Sequence, residues 1–469
     1  MRKPDRYRTL LDNTLFLGIG TFGSKLLTLV MVRFYTGVLT PSDYGVADLI
    51  MQTANLLLPL VSLGITNGVF RFAMEQQEQR SSVFSAGLYT TAAGTAALLA
   101  AAPMLASSIG LTHYAWLICG YTVASCCHSL CAQYIRAEGK TVLFAVQGMM
   151  NTALVIGFNL ILLLAVNMGV TGYVLSVVLA DSACAVYLFF KERLWRLVIP
   201  KPDKNIFRQM LRYSIPLIPT TVFWWITSVS DRYMVALQLG TEASGLYAVA
   251  CKIPTVLTLL STIFMEAWQY SAVSEAGEQS HTRFYTQVWR AFAAVMLLSG
   301  SMMIALCRVE IRALSAPRYY IAWQYVPTLT IAMAFSAFAS FMGSVFVVTK
   351  QSVRSLWTAL WGACANIALN LLLIPRMGIQ GAAIATALSY LLCFAVRAAS
   401  ARRLIPFDLC VGRLLLGSAL LTVQAVLAFC THPLQPVGQT TCLLLLLVLN
   451  WQPLAEVYQK IRGFRKEKE

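Results

Sequence analysis

The sequence predicts an all-α integral membrane protein of about fourteen transmembrane helices, with two pseudo-symmetric six-helix lobes and a C-terminal helix pair. Three observations lead to this fold class. Apolar residues make up 58% of the 469 positions and charged residues only 12%, against about 45–50% and 25% in soluble domains. The apolar residues form long runs, and two short patterns recur. This composition excludes a soluble enzyme, a disordered chain and a collagen-like fibre.

The apolar runs set the number of spans, because about 20 apolar residues are needed to cross the hydrocarbon core of a bilayer. The first run is too long for the apolar core of a signal peptide, so it is predicted to be a span itself. We predict spans at residues 13–37, 43–72, 83–107, 114–135, 141–167, 172–190, 214–239, 245–272, 288–310, 325–348, 355–375, 380–400, 413–432 and 441–459.

The distribution of Lys and Arg predicts the orientation. With the N terminus in the cytoplasm, the inner segments carry 28 of these cations and the outer segments carry four. Because Lys and Arg are concentrated in cytoplasmic loops, both termini are predicted to be cytoplasmic. The net charge of +16 then follows from topology, and no nucleic-acid partner is expected.

Two sequence patterns recur in the same order. LTPSDYG at residues 39–45 and LGTEASG at residues 239–245 each separate two long apolar runs. NLILLLAVNMGVTG at residues 159–172 and NLLLIPRMGIQG at residues 370–381 share an Asn-Leu start and the pattern M-G-[VI]-x-G. The matched elements lie about 200 and 209 residues apart, which predicts an internal duplication.

The duplication divides the chain into four parts. Each copy has six spans, and six is an even number, so both copies insert in the same direction and a cavity is expected between them. The polar segment between the copies is predicted to be a basic, amphipathic cytoplasmic linker. The predicted parts are an N-terminal lobe at 1–190, the linker at 191–213, a C-terminal lobe at 214–400, and a two-helix hairpin with a basic cytoplasmic tail at 401–469.

Three segments resemble the Wzx-type polysaccharide flippases of the multidrug/oligosaccharidyl-lipid/polysaccharide (MOP) exporter superfamily. They are TFGSKLLTLVMVRFYTGVLTPSDYG at residues 21–45, RYSIPLIPTTVFWWITSVSDRYMVALQLGTEASGLYAVACKIP at residues 212–254, and NLLLIPRMGIQGAAIATALSY at residues 370–390. The resemblance implies a transporter in the bacterial cytoplasmic membrane. By alternating access it would turn undecaprenyl-pyrophosphate-linked oligosaccharide from the inner to the outer leaflet for cell-surface polysaccharide synthesis. Membrane lipids, polysaccharide polymerase and glycosyltransferases are candidate partners.

Eight charged residues lie at least four positions from either end of a predicted span, and each costs about 2.5–3.5 kcal/mol on insertion scales. Asp181, in span six, is expected either to couple to an ion or to hydrogen-bond a neighbouring helix. The other seven lie in spans one, two, seven and eight, the leading pairs of the two repeats, and they are Lys25, Arg33, Asp48, Asp231, Arg232, Lys252 and Glu266.

Helical spacing places four of these charges on polar stripes, which must face protein or water. The four are Lys25, Asp48, Lys252 and Glu266. Three stripes on repeat-equivalent helices predict one hydrated cavity. The expected polar lining is Thr21, Thr28, Asp48, Gln52, Asn55, Asp231 and Thr255.

Four cations are the candidate substrate contacts, because Lys and Arg at low dielectric bind pyrophosphate by charge-assisted hydrogen bonds. Basic residues of the leading helices play this part in the resembled family. Alternative roles are snorkelling to the headgroups or, for Lys252, an ion pair with Asp48 or Asp231. The candidates are Lys25, Arg33, Arg232 and Lys252.

Two further pairs are assigned roles in motion. Arg71 and Glu266 are expected to form an inner gate or to be plain helix-end charges. Pro59 and Pro254 interrupt spans two and eight, where they are expected to act as hinges or as static kinks. Tryptophans in the two lobes are expected to anchor at the membrane interface or to stack on sugars, and they are Trp224, Trp225, Trp268 and Trp289.

No catalytic or metal-binding motif is present in the sequence. It contains no HExxH, GxSxG, Walker or CxxC pattern. We therefore predict a non-enzyme without a cofactor, energised by H⁺ or Na⁺, by the membrane potential or by the lipid gradient. Two rival functions stay open, a lipid II flippase for peptidoglycan and a cation-coupled drug exporter, although four deep bases argue against the exporter.

Overall fold

The structure, a computed structural model, describes residues 23, 27–75, 79–109, 112–274, 281–349 and 351–456. Within these ranges the chain is helical and contains no strand. It divides into two compact units, an N-terminal unit at Met1–Trp225 and a C-terminal unit at Ile226–Glu469.

The first half of the chain forms nine helices in the described ranges. They are α1 (Leu27–Val38), α2 (Pro41–Val61), α3 (Ile65–Glu75), α4 (Arg80–Ile109), α5 (Ala115–Ala137), α6 (Thr141–Leu160), α7 (Gly169–Lys191), α8 (Lys204–Ser214) and α9 (Ile218–Leu239). A π-helical turn at Ile161–Ala165 extends α6, and α9 crosses the division between the units.

The second half of the chain forms eight more helices in the described ranges. They are α10 (Thr241–Lys252), α11 (Thr255–Ser274), α12 (His281–Leu314), α13 (Val326–Val348), α14 (Ser352–Met377), α15 (Ile379–Arg402), α16 (Val411–Leu427) and α17 (Gln435–Leu449).

The predicted all-α membrane fold is confirmed. Nine of the described helices are long and apolar enough to cross a membrane, or ten when α10 and α11 count as one bent span. The 22-residue α9 and the shorter apolar helices α1, α16 and α17 account for the remaining predicted spans. Each of the fourteen predicted spans thus has a helical counterpart, the first only from Leu27 onward, and the chain is a multi-pass membrane protein.

The repeated M-G-[VI]-x-G pattern forms the tight turn between α6 and α7 and again between α14 and α15. Its first glycine, Gly169 or Gly378, has φ of +55° or +60°, where side chains other than Gly are strained. Its second glycine lets the following helix approach the preceding one. A Cβ on Gly172 would lie 3.2 Å from the Leu162 carbonyl oxygen, and one on Gly381 would lie 2.3 Å from that of Leu373. Steric requirements therefore explain both glycines of the repeat.

The LTPSDYG pattern begins α2 with a capping box. The Thr40 hydroxyl accepts a hydrogen bond from the Asp43 N–H at 3.1 Å, and the Asp43 carboxylate accepts one from the Thr40 N–H at 3.3 Å. Pro41 occupies the first turn, where its missing N–H is harmless. In the second copy the break is a single residue, Gly240, with φ of +92°.

The predicted linker is attached to the N-terminal unit. The Ser85 hydroxyl on α4 donates to the Leu197 carbonyl at 3.0 Å and accepts from the Ile199 N–H at 2.9 Å. The apolar face of α8 places Ile206 and Met210 in the buried core that α3, α4 and α5 form. Because protein covers that face, only the opposite, basic face of α8 is exposed.

One end of the N-terminal unit carries an ionic network. Glu138, between α5 and α6, pairs with Arg80 at the start of α4 and with Lys140 before α6, and Lys140 also contacts Glu192 after α7. Partial burial lowers the pKa of the Lys140 ammonium, but its hydrogen bonds with the two glutamates outweigh that effect and raise it. Three segments predicted to be inner therefore meet at the same end of the unit.

The core of the C-terminal unit is aromatic. Trp268 and Trp289 are buried among Phe338, Phe341 and Phe394. Their indole N–H groups donate to the Ser344 hydroxyl and the Leu409 carbonyl, both at 2.9 Å. These two tryptophans are therefore core residues, and the expectation that they anchor at the interface or stack on sugars was wrong.

A buried glutamine pair attaches the C-terminal hairpin to α12. The Ser301 hydroxyl donates to the Gln424 side-chain oxygen at 2.7 Å, and the Gln439 amide donates to the Gln424 carbonyl at 2.9 Å. All three side chains are buried. Interhelical hydrogen bonds of this kind hold apolar helices together where lipid offers no hydrophobic driving force.

Both predicted hinge prolines lie beside a break in a helix. Pro254 lies at the junction of α10 and α11, where the axis bends by 43°. Pro59 lies two residues before the end of α2, and the break that follows contains Leu63 and Gly64 with φ of +49° and +60°. Whether the chain moves at these points stays a prediction.

We expect Gly381→Ala to destabilise the protein by about 1–3 kcal/mol, as overpacking does. The new methyl group would overlap the Leu373 backbone, which cannot move aside as a side chain can. Thermal unfolding of the purified protein, followed by tryptophan fluorescence, measures the effect. Gly157→Ala on α6 is the matched control, because its Cβ would meet nothing within 4 Å. Equal unfolding midpoints for the two variants would contradict the steric explanation of the repeat.

Candidate functional site

The structure places three of the four predicted substrate-binding cations. Lys25, and with it Thr21, lies outside the described residues. Arg33 is exposed on α1, and Arg232 on α9 and Lys252 at the end of α10 are partly buried. Among the lining residues, Thr28 and Thr255 are exposed. Arg33 belongs to the N-terminal unit and Arg232 and Lys252 to the C-terminal unit, so convergence of these groups on one cavity stays a prediction.

The predicted stripe on α2 faces protein. Asp48 is buried with 5% of its surface exposed. The Asn55 side-chain oxygen accepts a hydrogen bond from the Tyr121 hydroxyl of α5 at 3.3 Å. The backbone carbonyl of Gln52 accepts one from the Trp225 indole N–H at 3.2 Å. The Asn55 side chain is thus satisfied inside the N-terminal unit, as polar groups at lipid depth must be.

Asp231 is the centre of a buried polar cluster in the C-terminal unit. Only 2% of its surface is exposed. Its carboxylate accepts hydrogen bonds from the Tyr247 hydroxyl on α10, from the Thr386 hydroxyl on α15 at 3.0 Å and from the Arg232 backbone N–H at 2.9 Å. We call these residues, together with Ser230, Asn366 and Asn370, the Asp231 cluster.

The Asp231 cluster contains one unsatisfied acceptor. Asn366 accepts from the Ser230 hydroxyl at 2.8 Å and from the Asn370 amide at 2.9 Å. The side-chain oxygen of Asn370 is buried and has no donor among the described residues. A buried acceptor without a donor costs free energy, so the Asn370 oxygen is available to a further donor or to a cation.

The predicted gate residue Arg71 has a partner on its own helix. Its guanidinium contacts the Glu75 carboxylate at 3.0 Å and lies over the Tyr213 ring at 4.6 Å from the centroid. Both charged side chains are about half exposed. The side chain of Glu266 lies outside the described ones, so the gate stays a prediction.

A second buried cluster, which we call the Asp181 cluster, joins α5, α6 and α7. The Asp181 carboxylate accepts hydrogen bonds from the Asn151 amide at 2.7 Å, from His128 Nδ1 at 3.1 Å and from the Ser125 hydroxyl. The second ring nitrogen of His128 lies 2.6 Å from the Gln147 side-chain oxygen. Asp181 thus hydrogen-bonds neighbouring helices. No sequence pattern indicated its partners, which lie 30 to 56 positions away.

Sequence reasoning also missed the burial of Arg397. Arg397 is one of the 28 cations predicted to lie in inner segments, but only 2% of its surface is exposed. Its guanidinium donates to the Thr358 hydroxyl on α14 at 3.0 Å and to the Ala339 carbonyl on α13 at 2.9 Å. A Cβ on Gly343 would lie 2.7 Å from the guanidinium, so this glycine provides the space.

Each unit contains a cavity among its described residues. The cavity of the N-terminal unit, about 800 Å³, is lined by α4, α5 and α7, and that of the C-terminal unit, about 650 Å³, by α13, α15 and α16. Both linings are mostly apolar, and neither includes Arg33, Arg232 or Lys252. A phosphate-bearing ligand therefore has no matched charge in either of these two cavities.

Comparison with known proteins gives one family. The profile of the family described as "Polysaccharide biosynthesis protein" matches residues 10–269, more than half of the chain. A search of curated proteins finds no match.

Solved structures of MOP-superfamily transporters share the fold. The lipid II flippase MurJ, in an inward closed conformation, aligns with a TM-score of 0.70 at 13% identity, covering 95% of this chain and 99% of its own. A multidrug resistance MATE family transporter aligns in its inward-facing conformation with a TM-score of 0.65 at 12% identity, covering 81% of this chain and 95% of its own. An outward-facing structure of a MATE family transporter aligns with a TM-score of 0.58 at 12% identity, covering 84% of this chain and 94% of its own.

We expect Arg397→Ala to lower the unfolding midpoint, because it removes the donor to the Thr358 hydroxyl and the Ala339 carbonyl and opens a void. The cost should be about 1–3 kcal/mol. Arg402→Ala is the matched control, since Arg402 is exposed on the same helix. Thermal unfolding of both purified variants tests the assignment. Equal stability would mean that Arg397 behaves as a surface cation.

Proposed function

Because the chain belongs to the polysaccharide biosynthesis protein family, we propose that it is a flippase for a lipid-linked oligosaccharide. The substrate would be an undecaprenyl-pyrophosphate-linked glycan, moved from the inner to the outer leaflet by alternating access. The protein would act in the bacterial cytoplasmic membrane with both termini inside. The family match over residues 10–269 carries the proposal.

The fold and the span arrangement support a transporter. The chain shares its architecture with a lipid II flippase over 95% of its length, and α10 and α11 are broken beside a proline. Broken helices in a membrane protein persist where the freed backbone is shielded by protein or lines a cavity. No catalytic role is proposed for any residue.

The substrate's charge matches the predicted contacts. A pyrophosphate is a compact polyanion, and Arg33, Arg232 and Lys252 lie on α1, α9 and α10, which flank the two LTPSDYG-like breaks. We assign them, with Lys25, to the pyrophosphate. Guanidinium and ammonium groups bind phosphate oxygens by charge-assisted hydrogen bonds.

The Asp231 cluster is the proposed seat of a coupling cation, H⁺ or Na⁺. Its carboxylate and the free Asn370 oxygen are hard ligands, and the cluster joins α9, α10, α14 and α15. Occupancy there would alter packing among the four helices. An anionic substrate that moves outward is also driven by an inside-negative potential, worth about 2.3 kcal/mol per charge per 100 mV.

The second candidate is lipid II of peptidoglycan synthesis, favoured by the longer coverage of the lipid II flippase than of the MATE transporters, 95% against 81% of this chain. Purified protein in liposomes that contain one lipid or the other separates the two. The measured quantity is the fraction of sugar accessible to a membrane-impermeant label over time. Transport of lipid II alone would overturn the polysaccharide assignment, and transport of neither lipid would overturn the flippase.

We expect Arg33→Ala, Arg232→Ala and Lys252→Ala each to slow flipping in the same liposomes. A hydrogen bond to a charged group is worth about 1.5–3 kcal/mol, so each loss should cost about tenfold or more. Arg208→Ala is the matched control, because Arg208 is exposed on α8. Full-rate flipping by all three variants, with normal insertion, would remove the assignment of these cations to the substrate.

We expect Na⁺ or H⁺ to raise the thermal unfolding midpoint of the wild type and to lose that effect in Asp231→Asn. The carboxamide keeps the shape of the side chain but removes the charge. Purified protein is compared in sodium and choline chloride across a pH series. Glu242→Gln, an exposed acid in the first turn of α10, is the control. An unchanged response in Asp231→Asn would exclude this cluster as the cation site.

A further inference from the structure

An ionisable pair lies in the middle of the N-terminal unit and has no role in the proposed substrate contacts. His128 is the fourteenth of 23 residues in α5, and Asp181 is the thirteenth of 23 in α7. With a rise of 1.5 Å per residue, each is about 14–20 Å from either end of its helix. Ion pairs this deep contribute little net stability compared with apolar packing, so a pair at this depth points to a function.

The Asp181 carboxylate is surrounded by hydrogen-bond donors. Ser125, His128 and Asn151 all donate hydrogen bonds to the carboxylate. The carboxylate oxygens therefore face donors, not further oxygen ligands. Within the described ranges, no three His, Cys, Asp or Glu side chains are grouped to hold a metal ion. The cation that this geometry accommodates is a proton on the imidazole.

The side chain of Gln147 can hydrogen-bond His128 in both the neutral and the protonated state of the imidazole. Nδ1 faces the carboxylate, so it carries a hydrogen in either state. Nε2 lies 2.6 Å from the Gln147 side-chain oxygen, which accepts from a protonated Nε2. When Nε2 loses its proton, a half-turn of the carboxamide brings its NH₂ group to the lone pair, because the two ends of the amide are nearly the same size. The hydrogen bond is kept while the charge changes.

We propose that His128, Asp181 and Gln147 form a proton-binding site in the N-terminal unit. Water delivers H⁺ to His128 Nε2, the ring changes from neutral imidazole to imidazolium, and the net charge of the pair changes from −1 to 0. Release reverses these changes, and Gln147 rotates with each exchange. This site goes beyond the proposed function, because it assigns a second titrating centre that requires no particular substrate.

The neighbouring helices do not supply a competing charge. Among the described residues, the titratable groups that interact with Asp181, besides His128, are Tyr121 on α5 and Cys184 on α7, and Cys127 and Cys131 lie beside His128 on α5. The ordinary titration ranges of Tyr and Cys lie above that of histidine. Helix α6 contributes the uncharged Gln147 and Asn151. About 16% of the His128 side chain is exposed, and its neighbour Cys127 lines the cavity of the N-terminal unit, so the pair is not sealed.

The test observes the proton directly. The full chain carries four histidines, so a variant with His113, His281 and His432 changed to Gln leaves one ring. Incorporated in lipid nanodiscs with ¹⁵N-labelled histidine, this protein should show one imidazole that changes between its neutral and charged spectra between about pH 5 and pH 9. Adding Asp181→Asn should reduce the charged fraction at a given pH about tenfold or more, because the imidazolium loses its counter-charge.

A ring that keeps one protonation state over this range, or that titrates identically with Asp181→Asn, would overturn the proposal. Flipping in liposomes gives the second measurement. The wild type should change its rate with pH, His128→Gln should show at least a severalfold weaker dependence, and His113→Gln, an exposed control, should match the wild type. A lipid-flipping failure of the wild type would remove the proposed function but leave the titration result standing.

Discussion

Every polar group at membrane depth must be satisfied within the chain, since lipid offers no hydrogen-bonding partner. In the described parts of both units, two buried aspartates meet this requirement through bonds that include other helices. Asp181 on α7 accepts from α5 and α6, and Asp231 on α9 accepts from α10 and α15. Each charged centre therefore ties three helices together and selects which of several apolar surfaces come into contact. The polar clusters therefore specify which helices pack together, because apolar side chains alone would allow several arrangements.

Local features of the chain were predictable from the sequence. The fourteen apolar runs match helices, and the repeated glycine pattern matches two tight turns, because span length and backbone sterics are properties of adjacent residues. Partners across helices were not predictable in the same way. Nothing in the order of residues indicates that Asp181 meets His128, 53 positions earlier, or that Asp231 meets Thr386, 155 positions later. These contacts depend on which helices are neighbours, and a single sequence does not state that.

Arginine and tryptophan side chains near helix ends are buried where the sequence predicts exposure, and the reason is physical. Arg397 lies five residues before the end of α15, a distance from which a long side chain ordinarily reaches the headgroups. The missing side chain at Gly343 instead opens a buried position for its guanidinium. Trp268 and Trp289 lie in regions where interface anchors are common, but both find an internal acceptor for the indole N–H. The position of a residue along its helix therefore does not show whether an amphipathic side chain reaches the headgroups or is buried in the protein.

The duplicated halves use the same three-helix junction with different chemistry. Helices α5, α6 and α7 are joined through Asp181 and His128, while their counterparts α13, α14 and α15 are joined through Arg397. Arginine stays charged at every pH that a cell experiences, whereas a histidine beside a carboxylate changes charge near neutrality. A change in proton concentration therefore acts on the junction of the N-terminal unit and leaves the junction of the C-terminal unit unaltered. In a two-lobed transporter, this difference makes the electrostatic energy of the N-terminal junction depend on pH, while that of the C-terminal junction stays constant.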